Sequence, residues 1–181
     1  YHQRRLDLQQ SVQQERQRLE QLTDTWLRRQ TLLALRRSEA MLKALDARIA
    51  QQVAEQPCLA VLGQIKGVGP VVRSALATQL PELGHVSGKA IAKLVGVAPL
   101  ACDSGNQRGT RRIWGGRAGL RATLYMGTLT AVRYEPTLRS FYQSLRQRGK
   151  PAKVALVASM RKLLVILNAR VRDAESGLVP A

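Results

Sequence analysis

Ile65-Lys66-Gly67-Val68-Gly69-Pro70 decides how this chain folds. Two glycines alternate with apolar residues and a proline follows, so one helix must end here and another begin. Pro70 suits the first helical position, where its missing amide has no intrahelical acceptor to satisfy. Leu59-Ala60-Val61-Leu62 predicts a helix before the turn, and the periodic apolar run from Val71 to Leu80 predicts one after it. The glycines allow the backbone to come close to a phosphate, and the amides opening the second helix present the positive end of its dipole. Lys66, Gly67 and Gly69 are therefore candidate nucleic-acid contacts.

The unit resembles the hairpin of the helix-hairpin-helix fold, a sequence-independent binder of the DNA backbone. Downstream, Pro81-Glu82-Leu83-Gly84 ends the second helix. Ser87 is placed to cap a helix over Gly88 to Val95, which Gly96 stops. From Gly115 onwards, helices are predicted over about 116–133, 136–147 and 151–172, with Pro136 and Pro151 in first-turn positions. Leu120/Leu124/Met126/Leu129 and Val154/Val157/Met160/Leu164/Leu167 have the spacing of core faces.

Upstream, residues 1–56 form a separate polar, helical segment. Val12, Leu19, Trp26 and Leu33 recur every seven residues, with Leu8 and Leu22 between, before the phase shifts to Leu35, Leu42 and Ile49. Thr23-Asp24-Thr25 offers N-cap chemistry near the shift. A helical hairpin or broken coiled coil follows, serving either as a simple support or in dimerisation or docking. Pro57 marks the boundary with a domain over 57–173, and 174–181 are expected to fray. The fold class is all-α: a helical hairpin or coiled coil, then a helical domain containing the hairpin motif and a central loop. Short extended pairing around 100–113 is compatible with it.

Composition narrows the function. The 181 residues are 45% hydrophobic but only 4% aromatic, a palette of Leu, Val, Ala and Ile that favours helix. With 29 Lys+Arg against 12 Asp+Glu, the formal charge is +17, which calls for a polyanionic partner. Residues 1–56 are net +3 and 57–181 net +14, so the polyanion site belongs to the second part. No apolar run approaches the ~18 residues of a membrane span, and nucleic acid is the expected partner rather than a membrane. Cys58 and Cys102 are far apart without ligand spacing, so no structural metal is expected and a reduced, cytoplasmic setting fits. His2 and His85 read as surface or cap residues. The chain opens Tyr1-His2-Gln3 without Met or signal peptide, as a fragment would.

The central loop is Cys102-Asp103-Ser104-Gly105-Asn106-Gln107-Arg108-Gly109. Irregular backbone on a rigid scaffold is where reacting groups concentrate. Ser104 is the candidate nucleophile, although Asp-Ser-Gly is a common turn sequence and, read locally, it is a plain turn serine. From Arg108 to Lys162 there are 13 basic residues and one acid, Glu135. Arg108, Arg111, Arg112, Arg117, Arg121, Lys150 and Lys153 are the candidate phosphate contacts, arginine being suited to bidentate grip. An arginine set can neutralise the charge developing when a serine attacks a phosphodiester. No carboxylate cluster for divalent metals accompanies it. The few aromatics, Trp114, Tyr125, Tyr134, Phe141 and Tyr142, favour recognition of backbone or shape over base stacking.

Several motifs occur together and in order: Ile65 to Pro70, Leu94-Val95-Gly96-Val97-Ala98-Pro99, Asp103-Ser104-Gly105 with Arg108-Gly109, Gly115-Gly116-Arg117 with Arg121 and Leu124-Tyr125-Met126, and Gly149-Lys150-Pro151 with Arg161-Lys162-Leu163 and Asn168. From about Leu59 to Asp173 the chain resembles the C-terminal transposase domain of the IS-one-ten family, the bridge-RNA-guided insertion-sequence recombinases related to the Piv DNA invertases. The resemblance implies an N-terminal RuvC-like domain holding magnesium, absent from this sequence, and a coiled coil matching 1–55 by position. It implies that Ser104 forms a covalent phosphoserine link with DNA, and that DNA, a guide RNA and further copies of the protein are partners. On this reading the chain is bacterial, cytoplasmic and nucleoid-associated, and inactive by itself. The alternative is a non-catalytic nucleic-acid-binding module in which Ser104 is a turn residue.

Overall fold

The structure, a computed structural model, describes residues 1–99 and 113–177. Every regular element among them is helical. The chain divides into two compact units, Tyr1–Glu55 and Gln56–Ala181.

The first unit is an antiparallel hairpin of α1 (His2–Gln21) and α2 (Thr25–Ala54). Asp24 caps α2, its carboxylate accepting from the Leu27 amide at 2.7 Å, and the Arg28 guanidinium donates to the Leu19 and Leu22 carbonyls that close α1. Arg5 pairs with Asp46 and Arg16 with Glu39, fixing the antiparallel register. Leu8, Val12, Leu35 and Ile49 are buried. The sevenfold repeat does not form one seam. The turn at 22–24 divides it, leaving Trp26 and Leu33 exposed on α2, while Leu35 and Ile49 take the buried side. His2 is also buried rather than on the surface, and this burial, with Arg5 and the N-terminus nearby, holds its pKa below the ordinary 6.5.

The second unit comprises α3 (Pro57–Ala60), a 3-10 turn (Val61–Gln64), α4 (Pro70–Gln79), α5 (Gly88–Val95), α6 (Ala118–Tyr134), α7 (Pro136–Gln147) and α8 (Ala152–Glu175). The helix expected over 59–62 is thus a single α-turn tightening into 3-10, as it must close within a few residues of the glycine turn. α8 is the central element, burying Leu156, Met160, Leu163, Leu164, Leu167 and Val171 against α5, α6 and α7. Met160, Leu164 and Leu167 of the expected stripe are in the core, whereas Val154 is 53% exposed, and Leu156 and Leu163 complete the buried face.

α6 departs similarly. Its buried face runs Leu120, Leu124, Gly127, Thr128, Ala131, and Met126 is exposed. Gly127 sits on that face because the hairpin packs there: a Cβ on Gly67 would lie 2.4 Å from the Gly127 carbonyl oxygen and 2.8 Å from the Ala131 nitrogen. Gly67 itself adopts φ +96°, which L side chains rarely take. α5 matches its sequence signals closely: the Ser87 hydroxyl accepts from the Ala90 amide at 3.2 Å, and Gly96 closes the helix in the left-handed conformation. α8 continues two residues past Asp173, and the Ser176 hydroxyl donates to the Arg172 carbonyl at its end.

Candidate nucleic-acid interface

Ser104, Arg108, Arg111 and Arg112 lie outside the described residues, as does all but Ile113 of the extended pairing expected around 100–113. What the structure describes is how the flanks of that segment are held. Gly96 and Gly116 meet backbone to backbone: a Cβ on Gly116 would stand 2.4 Å from the Gly96 nitrogen, and one on Gly96 2.2 Å from the Gly115 carbonyl oxygen. The Arg117 amide donates to the Leu94 carbonyl at 3.0 Å. The Arg121 guanidinium donates to the carbonyls of Val95 and Gly115. Both ends of 100–112 are therefore fastened at the C-terminus of α5, with side chains too large for the contact excluded at both glycines.

Arg117 makes a second connection. Its guanidinium forms a bidentate pair with Glu82, at 2.7 and 2.6 Å, both side chains partly buried. Hydrogen bonding from Arg117, helped by the residue's own backbone amide, holds the Glu82 carboxyl at about 2 against an ordinary 4.5, and the same bond raises Arg117. The turn carrying Glu82 is secured from the other side by Asn168 on α8. Its Oδ1 accepts from the Gly84 amide and its Nδ2 donates to the Val86 carbonyl, each at 2.9 Å. The α4–α5 connection, the end of α5 and the start of α6 form one braced frame. Sequence reading placed Arg117 and Arg121 among the phosphate contacts; here both guanidinium groups are engaged within the protein. Glu82 was the missing partner, and only its place in a turn, far from Arg117 in sequence, could have suggested it.

The other described candidates, Lys66, Lys150 and Lys153, form no salt bridge with a carboxylate among the described residues. Lys66 is exposed on the hairpin, and the following helix α4 has Gly69 as its N-cap residue, with no side-chain cap. A Cβ on Gly69 would meet nothing within 4 Å. The contact of the hairpin with Gly127 and the position of Arg121 are about 9 Å apart along the axis of α6. Lys150 and Lys153 are exposed in the turn and first helical residues joining α7 to α8. Lys153 lines a cleft with Val97, Pro99, Ile113 and Arg161, which brings the start of α8 to the flanks of 100–112. Trp114, beside those flanks, is 64% exposed. Lys162 instead rests over Phe141, its Nζ 4.4 Å from the ring centroid.

Among the described residues no three His, Cys, Asp or Glu side chains gather as a metal site, and no helix is long and apolar enough to cross a membrane.

A strongly basic unit, helical in every regular element described, with a glycine hairpin and a polar segment whose flanks are fastened, has the features of a nucleic-acid-processing domain. Residues 59–143 match the family model described as Transposase IS116/IS110/IS902 family. The chain is 28% identical over 138 residues to the insertion element IS110 uncharacterized 43.6 kDa protein of Streptomyces coelicolor, covering 72% of this chain and 33% of that protein. It is 29% identical over 134 residues to the insertion element IS900 uncharacterized 42 kDa protein of Mycobacterium paratuberculosis, covering 71% and 33% respectively. The chain spans about a third of the length of both relatives.

Proposed function

We propose that this chain is the C-terminal part of a DNA transposase of the IS-one-ten family, a site-specific recombinase that cleaves and rejoins DNA through Ser104. The observation that carries this reading is the family match over 59–143, a span that includes the hairpin, both fastened flanks and the serine segment between them. The Ser104 hydroxyl attacks a DNA phosphorus, giving up its proton as the new O–P bond forms. The bond to the leaving sugar oxygen breaks, and that oxygen takes up a proton. Attack by another strand's hydroxyl reverses the chemistry and releases the serine.

Arg108, Arg111 and Arg112 neutralise the charge that develops on the phosphoryl oxygens. Arg117 and Arg121 act one step back, holding the flanks so that the segment keeps its place. Lys66, Gly67 and Gly69 meet the DNA backbone at the hairpin, and Lys150 and Lys153 extend the basic surface. A RuvC-like domain bearing magnesium completes the reaction, and a guide RNA selects the DNA. The protein works as a homo-oligomer, for which Trp26 and Leu33, exposed one heptad apart on α2, provide an apolar face.

A second reading has one observation in its favour. Arg117 and Arg121 are engaged with Glu82 and with carbonyls, as in a binding module where Ser104 is only a turn residue. Strand exchange by the full-length recombinase with RNA and magnesium separates the two: Ser104→Ala abolishes exchange while DNA binding persists. Exchange at the wild-type rate in Ser104→Ala would leave the binding module as the reading.

A further inference from the structure

A cleft of ≈ 730 Å³ opens between α6, α7 and the first turn of α8, within the range of about 300–1,000 Å³ typical of small-ligand sites. Leu156 is buried at its base, and Tyr125 and Tyr142 are half-buried where α6 and α7 line it. Arg133, Arg139 and Lys153 are exposed at its edge. Tyr125 and Arg133 fall on one face of α6, two turns apart, while Arg139 and Tyr142 are neighbours one turn apart on α7. No acidic side chain lines the cleft, and Glu135 is the only acid from Ala118 to Lys162.

An ordinary gap between three helices would be closed by Leu or Met. These helices instead leave two phenol rings over an apolar base, with three cations around them. Duplex backbone needs the cations but has no use for the rings, and an acidic peptide is in the same position. An unpaired nucleotide uses both, since its base has an apolar face for stacking and its phosphate a charge for the rim. Lys153 also lines the cleft beside Pro99 and Ile113, so this surface continues to the flanks of 100–112. The geometry points to a site for an unpaired nucleotide of a nucleic-acid strand, its base against Tyr125 and Tyr142 and its phosphate at Arg133, Arg139 and Lys153. This rests on the nucleic-acid reading above and deepens it. The five scattered aromatics of the basic region gave no sign of it, because only the α6–α7 packing places two of them in one cleft.

Fluorescence anisotropy with labelled oligo-dT, oligo-U and a duplex DNA tests the site on the 181-residue chain. Tyr142→Ala weakens single-strand binding roughly 5- to 100-fold and leaves duplex affinity unchanged. Tyr142→Phe, which keeps the ring, binds as wild type. The exposed substitution Lys153→Glu weakens single-strand binding as well and, with Tyr142→Phe, decides the matter if Tyr142→Ala loses its helical circular dichroism. Loss on oligo-U alone assigns the site to RNA, loss on oligo-dT alone to DNA, and loss on both to either strand. Equal losses by Tyr142→Ala on duplex and single strands, wild-type binding by both Tyr142→Ala and Lys153→Glu, or competition by poly-glutamate as strong as by oligonucleotide overturn the proposal. A wild-type chain that binds duplex but no single strand overturns the cleft alone; one that binds none of the three overturns the nucleic-acid reading with it.

Discussion

Gly67 and Gly127 touch through their backbones: a Cβ on Gly67 would stand 2.4 Å from the carbonyl oxygen of Gly127, and one on Gly127 2.7 Å from that of Gly67. The hairpin is thereby seated on α6, and its two glycines have different roles. Gly67→Ala combines a disfavoured φ with a backbone clash and should destabilise the unit by roughly 2–4 kcal/mol in urea unfolding. Gly69, at φ −73° with open space around it, should tolerate alanine within about 0.5 kcal/mol. If Gly69 approaches a phosphate, Gly69→Ala should nevertheless weaken duplex binding, a loss of affinity without a loss of stability.

The Glu82–Arg117 pair makes stability depend on pH. A carboxyl held at about 2 in the folded chain and near 4.5 when unfolded stabilises the fold fully above the higher value. That contribution declines as pH falls from about 4.5 through 2. Thermal melts across this interval should show a larger drop for wild type than for Glu82→Gln. Parallel drops would mean that the pair is not formed.

Asn168 satisfies two backbone groups of the 84–86 turn from within the core. Asn168→Ala leaves the buried Gly84 amide without its acceptor and should cost about 2–3 kcal/mol of stability, measured by chemical denaturation. Because this turn carries Glu82, the pH difference between wild type and Glu82→Gln should shrink in the Asn168→Ala background.

These contacts mark how far the sequence could be read. Helix ends set by local chemistry were legible: Ser87, Gly96, Pro70 and Pro136 stand where their capping and first-turn preferences put them. Faces decided by long-range packing were legible only in part: Leu120, Leu124, Met160, Leu164 and Leu167 are buried as expected, while Met126 and Val154 are exposed. The α6 stripe passes through Gly127 rather than Met126 because a backbone 60 residues earlier needs the space, and periodicity counts a glycine as no core residue at all. The heptads of the first unit were read through a turn that divides them, so Trp26 and Leu33 were assigned to a seam they do not join. For the candidate site, the basic excess and Ser104 were visible locally. The fastening of Arg117 to Glu82 and the placing of Tyr125 and Tyr142 in one cleft depend on the tertiary fold.

Salt dependence distinguishes the arginines. Arg111→Gln should lower the slope of log affinity against log salt on duplex DNA by about 0.9, the loss of one phosphate contact. Arg117→Gln should leave that slope unchanged while lowering the melting temperature, as its charge is paired with Glu82. Equal slope changes in the two variants would place Arg117 on the DNA.

Ser104 as nucleophile is tested most directly by mapping the covalent link. Full-length recombinase, with RNA, magnesium and substrate DNA, is denatured in mid-reaction and digested with nuclease and trypsin. The peptide from Leu94 to Arg108 is then examined by mass spectrometry. The account predicts a nucleotide remnant on Ser104 in the wild type and none in Ser104→Ala. A remnant on another residue, or an adduct that persists in Ser104→Ala, would contradict it.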